Sequence, residues 1–172
     1  MKILIVGCGR VGSAIANSML EEGHEVSVLD EDAEAIALLE RGHTAGWEER
    51  GGRFTEGTAL EIDALLAAGI ERADAVVAST DGDNTNLVIA QIAKRRFSVP
   101  KVIARVNDPR NQEHFDLLGI TQTVCATANV LGLVEHEVPE HGIVRLLELR
   151  KENLEIVELQ IDKDSPVAGK RL

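Results

Sequence analysis

Aromatic residues and positive charge are both scarce in this chain. Its 172 residues include one Trp, three Phe and no Tyr, and the formal net charge is −11. Proteins that bind nucleic acids present clustered Lys and Arg side chains to the phosphates and aromatic rings to the bases. The composition therefore argues against nucleic acid as a partner.

Cysteines and long hydrophobic runs are also few. The two cysteines, Cys8 and Cys125, cannot build a disulfide scaffold, and no apolar run is long enough to cross a bilayer. The chain also begins without the pattern of a secretory signal peptide. We therefore expect a cytoplasmic protein that has no membrane segment of its own.

What the chain does have is a glycine-rich loop directly after a short apolar strand. Residues 1–12 read MKILIVGCGRVG, which contains a Gly-x-Gly-x-x-Gly motif. Its first glycine permits a sharp turn, its second lets the backbone approach a pyrophosphate, and its third lets the next helix lie close to the sheet. The phosphates then meet the positive end of that helix. The predicted phosphate-binding residues are Gly7, Cys8, Gly9, Arg10, Val11 and Gly12.

A carboxylate at the end of the second predicted strand strengthens this interpretation. Asp30 follows residues 25–29 and lies about 20 residues beyond the glycine loop, where dinucleotide-binding folds place the acid that binds the ribose hydroxyls. An isolated aspartate would better fit a helix N-cap, but the glycine loop favours the ribose role. Glu31 and Asp32 follow without an arginine, so a 2′-phosphate would meet three carboxylates. NAD or an adenine nucleotide is therefore favoured over NADP.

Short apolar strands and helical segments alternate through the rest of the chain, a pattern typical of a parallel doubly wound sheet. The remaining predicted strands cover residues 53–55, 75–79, 101–105 and 121–125. The predicted helices cover residues 10–22, 33–41, 60–68, 84–96 and 110–118. Residues 42–52, which hold the only Trp, are predicted to be irregular. The predicted fold class is α/β, with a Rossmann-like doubly wound sheet.

Further candidate site residues lie where the predicted strands end. Right-handed crossovers bring the carboxyl ends of all parallel strands to one edge of the sheet, where ligands bind. Arg10 and Arg105 are the cations at this edge, and each could contact phosphate or pair with a surface carboxylate. Asp81 also suits a turn. The candidates beyond the loop and Asp30 are Glu31, Thr58, Ala59, Ser79, Thr80, Asp81 and Arg105.

Only 35 residues follow residue 137, where the predicted nucleotide-binding part ends, so we expect no substrate domain of the kind that a nicotinamide dehydrogenase needs. We predict a nucleotide-binding domain over residues 1–137, followed over residues 138–172 by a linker and the first strand of a small second lobe. His136 and His141 lie among glutamates, but their spacing suits no familiar metal site, so we predict no metal. We expect no catalytic residues and no enzyme activity. The alternative is an NAD-dependent oxidoreductase or a fragment of one.

Two further segments, taken with the glycine loop and Asp30, resemble the N-terminal lobe of RCK domains, also called KTN or TrkA-N domains. Residues 78–88 read ASTDGDNTNLV, and residues 101–109 read KVIARVNDP. The combination of these two segments is the most specific part of the resemblance, which extends over nearly the whole chain. The chain is most similar to the TrkA/KtrA type, found in regulatory subunits of Trk and Ktr potassium uptake systems.

The resemblance implies a regulatory role. RCK lobes pair into homodimers that build rings beneath an integral-membrane potassium transporter or channel, at the inner face of the cell membrane. Binding of NAD(H), ATP or ADP, or of AMP, would change the ring and so the gate. The resemblance assigns the ribose to Asp30, terminal phosphates to Arg10, and the border of the adenosine to Thr58, Ala59 and Thr80. A sensor for another channel or antiporter is the alternative within the family.

The tail resembles the start of the C-terminal lobe of the same family. Residues 154–161 alternate as a half-exposed strand, and residues 164–172 read DSPVAGKRL, which is rich in turn formers. We expect an incomplete second lobe in a chain that is shortened either naturally or artificially. Ala126 and Thr127 stand where the family often has a Pro-Glu pair that helps to hold a cation. Thr58 stands where it usually has Asp or Asn.

Overall fold

The computed structural model describes residues 1–137, 143–149 and 154–159. The chain divides into two compact units, of which the first covers Met1–Val124 and the second begins at Cys125. The division after residue 137, between a nucleotide-binding domain and a second lobe, stays a prediction.

The first unit is built on a six-stranded parallel sheet. The strand order is β3-β2-β1-β4-β5-β6, the order of a Rossmann fold, so the predicted fold class is confirmed. In such a sheet the order reverses between β1 and β4, and ligands bind at the carboxyl ends of the strands at that point. The strands are β1 (Lys2–Val6), β2 (Glu25–Asp30), β3 (Arg53–Glu56), β4 (Ala75–Ala78), β5 (Lys101–Arg105) and β6 (Thr123–Val124).

The two central strands are buried along almost their whole length. Residues 3–6 of β1 and all four residues of β4 are buried. Ile5 lies in register with Val28 of β2 on one side and Val77 of β4 on the other. A parallel sheet is covered by helices on both faces, which is why these strands read as continuous apolar runs rather than as alternating ones.

The predicted helices are present, but most are shorter than predicted. They are α1 (Arg10–Glu21), α2 (Ile36–Glu40), α3 (Ile62–Ala67), α4 (Asp83–Gln91) and α5 (Gln112–Leu117). Tight 3₁₀ turns at Ala33–Ala35 and Pro109–Asn111 replace the predicted starts of α2 and α5. The side chains of Asp32 and Asp108 accept hydrogen bonds from the backbone two residues further on, and this turn chemistry favours the tighter start. The predicted helix 84–96 ends in a π-helical turn, Ile92–Arg96.

The second unit contains one helix and one hairpin among its described residues. Helix α6 (Ala126–Glu137) precedes β7 (Ile143–Leu149) and β8 (Leu154–Leu159), which pair antiparallel. The predicted strand is confirmed over the residues of β8, whereas α6 and β7 were not predicted. The predicted turn at residues 164–172 lies outside the described residues. Within the described part of the chain, no helix is long and apolar enough to span a membrane.

Candidate nucleotide-binding site

The loop between β1 and α1 is tightly packed at two of its three glycines. A Cβ added at Gly7, whose φ is +97°, would lie 2.8 Å from the backbone nitrogen of Thr80, and a Cβ at Gly12 would overlap the Gly7 carbonyl oxygen. The fold itself therefore requires glycine at both positions. Gly9 differs, because a Cβ there would have no neighbour within 4 Å. No steric contact in the described protein requires glycine at this position.

The loop leads directly into an open helix end. Gly9 is the N-cap of α1 and offers no side chain to cap it, and the first turn contains no acidic residue. The Ser13 N–H donates to the Gly9 carbonyl, so regular helical bonding begins only there. The N–H groups of the first turn of a helix have no partner within the helix, and the helix dipole makes this end attractive to anions.

Asp30 ties the end of β2 to the glycine loop. Its Oδ2 accepts a hydrogen bond from the Cys8 backbone nitrogen at 2.5 Å, and its Oδ1 accepts one from the Asp32 nitrogen at 3.0 Å. The side chain is only partly buried, and each carboxylate oxygen retains a further lone pair. Asp30 is thus fixed in place and still able to accept hydrogen bonds from ribose hydroxyls.

Cys8 contributes its backbone to the loop and its side chain to the core. The buried thiol donates to the Ala35 carbonyl oxygen at 3.5 Å. Burial raises the pKa of the Cys8 thiol to about 12, and the negative charge of Asp30 adds to that rise. The sulfur therefore stays protonated near neutral pH and is not a nucleophile. Its role is to hold the loop against the turn that precedes α2.

A buried asparagine connects the ends of β4 and β5. Asn86 is completely buried. Its Oδ1 accepts hydrogen bonds from the backbone nitrogen and Oγ1 of Thr80 at 2.8 and 2.7 Å. Its Nδ2 donates to the carbonyl oxygens of Thr80 and Arg105, both at 3.0 Å. Asn86 therefore fixes Thr80 at the edge of the site.

Asp83, which follows β4, is hydrogen-bonded to the loop that follows β5. Its carboxylate accepts hydrogen bonds from the backbone nitrogens of Asn107 and Asp108 at 2.6 and 3.0 Å, and from Asn111 Nδ2 at 2.7 Å. Burial by itself would raise the pKa of Asp83, but the hydrogen bonds from Asn111, Asn107 and Asp108 outweigh it and hold this pKa below its ordinary value. The carboxylate thus stabilises the loop after β5 rather than pointing into the site.

These elements surround a cavity of about 630 Å³, which we call the glycine-loop cavity. Its volume is in the usual range for sites that bind small molecules. Ten of the predicted site residues line it: Gly7, Cys8, Gly9, Asp30, Glu31, Thr58, Ala59, Ser79, Thr80 and Asp81. The lining also includes residues that were not predicted: Val6, Leu29, Asp32, Glu34, Ala35, Ala37, Leu38, Gly57, Leu60, Gly82 and Thr85.

The other four predicted residues do not line the cavity. Arg10 and Val11 are exposed at the start of α1, and Gly12 packs against Gly7. The Nη1 of Arg105 lies 4.0 Å from Asp81 Oδ1, and its buried Nε has no hydrogen-bond partner within the described residues. The ion pair that the sequence left open for Arg105 therefore forms, although at long range. Ser79 lines the cavity, but its hydroxyl donates to the Gly7 carbonyl oxygen at 2.9 Å and so supports the loop.

Comparison with known proteins agrees with this geometry. The TrkA-N domain family matches residues 3–126. This chain belongs to the TrkA-N family. The Trk system potassium uptake protein TrkA of Mycobacterium tuberculosis is 32% identical over 173 residues, which cover 99% of this chain and 74% of that protein. Its namesake in Streptomyces coelicolor is 42% identical over 120 residues, or 70% of this chain and 51% of that protein.

A crystal structure of GsuK bound to ADP is similar to this TrkA-N domain in both fold and sequence. The two share 26% sequence identity with a TM-score of 0.63, over 79% of this chain and 34% of that chain. The family resemblance inferred from the sequence motifs is therefore confirmed.

Metal binding has no support in the described part of this TrkA-N domain. No three or more His, Cys, Asp or Glu residues there are grouped to hold an ion. His136 and His141, which were not predicted to bind a metal, cannot be compared, because His141 lies outside the described residues.

The sequence reasoning missed two positioning residues and one wall of the cavity. Asn86 and Asp83 lie inside the segment that carries the family resemblance, but no role in the site was predicted for either residue. The cavity wall, formed by Glu34, Ala35, Ala37 and Leu38, comes from the turn and helix after Asp30. The available signal was the apolar side chains of Ala35, Ala37 and Leu38, which recur at helical spacing.

Proposed function

We propose that this TrkA-N domain is the nucleotide-sensing part of a regulatory subunit of a Trk/Ktr-type potassium transporter. It binds NAD(H), ATP, ADP or AMP in the glycine-loop cavity and changes conformation in response. The observation that carries the proposal is Gly9. The described protein has open space where its Cβ would be, so no contact within the fold requires glycine there, whereas a pyrophosphate that approaches the loop closely does.

The chemistry of the cavity fits an adenine nucleotide. The open end of α1 suits a pyrophosphate, Asp30 suits ribose hydroxyls, and Ala59 offers a small surface beside the base. Arg10 is exposed at the start of α1, beside the loop, and we assign its guanidinium to the terminal phosphates. The five lining carboxylates disfavour an added 2′-phosphate: Asp30, Glu31, Asp32, Glu34 and Asp81. NADP is therefore a poor ligand.

The regulatory role rests on the relatives. The similar proteins of M. tuberculosis and S. coelicolor carry the name Trk system potassium uptake protein TrkA. By analogy, this chain acts at the inner face of the cell membrane, as a homo-oligomer bound to an integral-membrane potassium transporter. A nucleotide shifts such an assembly only by its difference in affinity for two conformations. Binding without turnover is sufficient, and we assign no catalytic residue.

Calorimetric titration with NAD, NADH, ATP, ADP and AMP tests the binding step. We expect saturable binding of at least one of them, with NADP and NADPH binding more weakly than NAD and NADH. If none of the five binds, nucleotide sensing is wrong. Steady oxidation of NADH by a small carbonyl compound would instead support an oxidoreductase.

The membrane partner requires a separate experiment. Affinity purification of the tagged protein from detergent-solubilised native membranes should recover a potassium transporter. Recovery of a different channel or an antiporter would contradict the transporter assignment and favour a related sensor. The control is the same tagged protein with Gly12→Ala, a change that disrupts the glycine loop. Recovery of the transporter should fall with this variant if capture depends on the folded domain.

A further inference from the structure

The turn between α2 and β3 connects helices α1 and α2 through hydrogen bonds. We call residues 42–52 the Trp47 segment. Its Arg50 donates from Nη2 to Asn17 Oδ1 on α1 at 2.7 Å and to the Leu39 carbonyl oxygen on α2 at 2.8 Å. The Trp47 backbone nitrogen donates to Glu40 Oε1 at 3.0 Å. One guanidinium group therefore holds the end of α2 against the middle of α1.

Trp47 shares a hydrophobic cluster with residues that line the glycine-loop cavity. Its side chain is completely buried in the same hydrophobic cluster as Cys8, Ala35 and Leu39. Cys8 belongs to the glycine loop and Ala35 to the cavity wall. The cluster that contains the indole therefore includes residues from both sides of the cavity. The Arg50 guanidinium carbon lies 5.4 Å from the centre of the indole ring, close enough for a cation–π contact.

The Trp47 segment keeps two buried donors without partners. Trp47 Nε1 and Arg50 Nε are both buried and make no hydrogen bond among the described residues. Each such group costs about 1–3 kcal/mol, and native structures contain few of them. A leucine in place of Trp47 would avoid the first of these costs. An apolar residue in place of Arg50 would avoid the second cost but would leave Asn17 Oδ1 and the Leu39 carbonyl oxygen without this donor, so the value of Arg50 lies in the two bonds that it makes.

Helix α2 needs an outside support. It has only five residues, Ile36–Glu40, and helices of this length do not hold their shape unaided. Its last carbonyl groups also have no partners within the helix, and Arg50 satisfies the one on Leu39. The same helix and the turn before it supply the cavity wall.

We infer that Arg50 is a positioning residue for the glycine-loop cavity: by holding Leu39 against Asn17, it fixes the distance between the cavity wall and the glycine loop. This inference rests on the proposed nucleotide site. Arg50 touches no ligand in this account and acts through α2. Loss of its guanidinium lets the wall relax, so that the cavity fits the adenosine part of a nucleotide less well.

The test compares Arg50→Met with Arg53→Met. Methionine keeps an unbranched side chain and removes the donors. Arg53 is exposed on β3 and does not line the cavity, so Arg53→Met controls for the loss of one positive charge nearby. Binding of AMP and ADP is measured by calorimetry at a temperature where circular dichroism shows every variant to be folded. Under that condition a purely global loss of stability leaves the measured Kd unchanged.

We expect Arg50→Met to bind AMP about tenfold more weakly than the parent, because a cavity wall that is correctly placed only about a tenth of the time lowers the apparent affinity by that fraction. Arg53→Met should bind as the parent does. Amide hydrogen exchange should also speed up across residues 33–40 in Arg50→Met only. If Arg50→Met does not fold, Asn17→Ala takes its place. This variant removes one hydrogen-bond partner of Arg50 and introduces a residue that favours the helix, and we expect it also to weaken AMP binding.

The outcomes separate this inference from the proposed function. If the parent binds AMP or ADP and neither Arg50→Met nor Asn17→Ala weakens that binding, the positioning role is wrong and the nucleotide site stands. Equal weakening by Arg50→Met and Arg53→Met would also overturn it, because charge alone would then explain the change. If the parent binds none of the nucleotides, the proposed function itself fails.

Discussion

Replacing Gly9 with alanine separates what the ligand requires from what the fold requires. The Gly9 backbone has φ −67° and ψ −169°, which any residue adopts, and the added Cβ would meet nothing within 4 Å. Gly9 is nevertheless the N-cap of α1, where alanine is a poorer residue than glycine. We therefore expect Gly9→Ala to lower the free energy of unfolding by no more than about 1 kcal/mol.

Nucleotide binding should respond far more strongly to the same change. The new methyl group occupies the space through which a pyrophosphate reaches the N–H groups of the first turn of α1. A hydrogen bond to a charged group contributes about 1.5–3 kcal/mol, and a tenfold change in Kd corresponds to 1.4 kcal/mol. Loss of one or two such bonds therefore predicts at least tenfold weaker binding of ADP or NAD, measured by calorimetry beside urea denaturation.

Gly12→Ala provides the contrast. Its Cβ would overlap the Gly7 carbonyl oxygen and lie 2.8 Å from Ser79 Oγ, so the loop itself must move. We expect a loss of about 3 kcal/mol or more of unfolding free energy, at the upper end of the cost of overpacking. The reasoning is refuted if Gly9→Ala binds nucleotides as tightly as the parent, or if it unfolds as readily as Gly12→Ala.

Three further predictions concern the groups around the cavity. Asn86→Ala removes a completely buried side chain with four hydrogen bonds and should lower the free energy of unfolding by about 3 kcal/mol. Asn84→Ala, at an exposed position, should change it little. Thermal denaturation of both variants measures the difference, and equal effects would contradict the stabilising role of the Asn86 hydrogen bonds. Because the folded pKa of Asp83 is lowered, its stabilising effect is present above the unfolded pKa of about 3.9 and is lost as the pH falls through the folded pKa. Urea denaturation of the parent should thus show a steeper loss of stability below about pH 4 than Asp83→Asn does, and parallel curves would argue against it. Cys8 should resist a thiol reagent at pH 8 in the folded protein while the partly exposed Cys125 reacts, and rapid labelling of both would contradict the burial of Cys8.

Local chemistry made part of the site predictable from the sequence. The roles of Gly7 and Gly12 follow from steric rules that hold wherever a strand turns directly into a helix. Asp30 was predicted from its place at the end of a strand. The central strands β1 and β4 were predicted because a strand buried on both faces leaves a continuous apolar run.

Long-range contacts made the rest unpredictable. Asn86 donates a hydrogen bond to Arg105, and Asp83 accepts hydrogen bonds from residues 107, 108 and 111. Neither pairing leaves a periodic trace in the sequence. The Trp47 segment was predicted to be irregular because it lacks apolar periodicity. In the structure it is a compact turn whose shape depends on α1 and α2. The unpredicted helix α6 carries apolar residues that stay exposed within the described chain, among them Val130 and Leu133.

Amide NMR shift mapping with ADP tests the central claim, binding of an adenine nucleotide in the glycine-loop cavity, most directly. We predict the largest shift changes at Gly9, Asp30 and Thr58, with little change at Lys2 and Arg72, which lie at the opposite ends of the strands and line no part of that cavity. Changes centred on Lys2 and Arg72, or none at saturating ADP, NAD and AMP, would contradict the account.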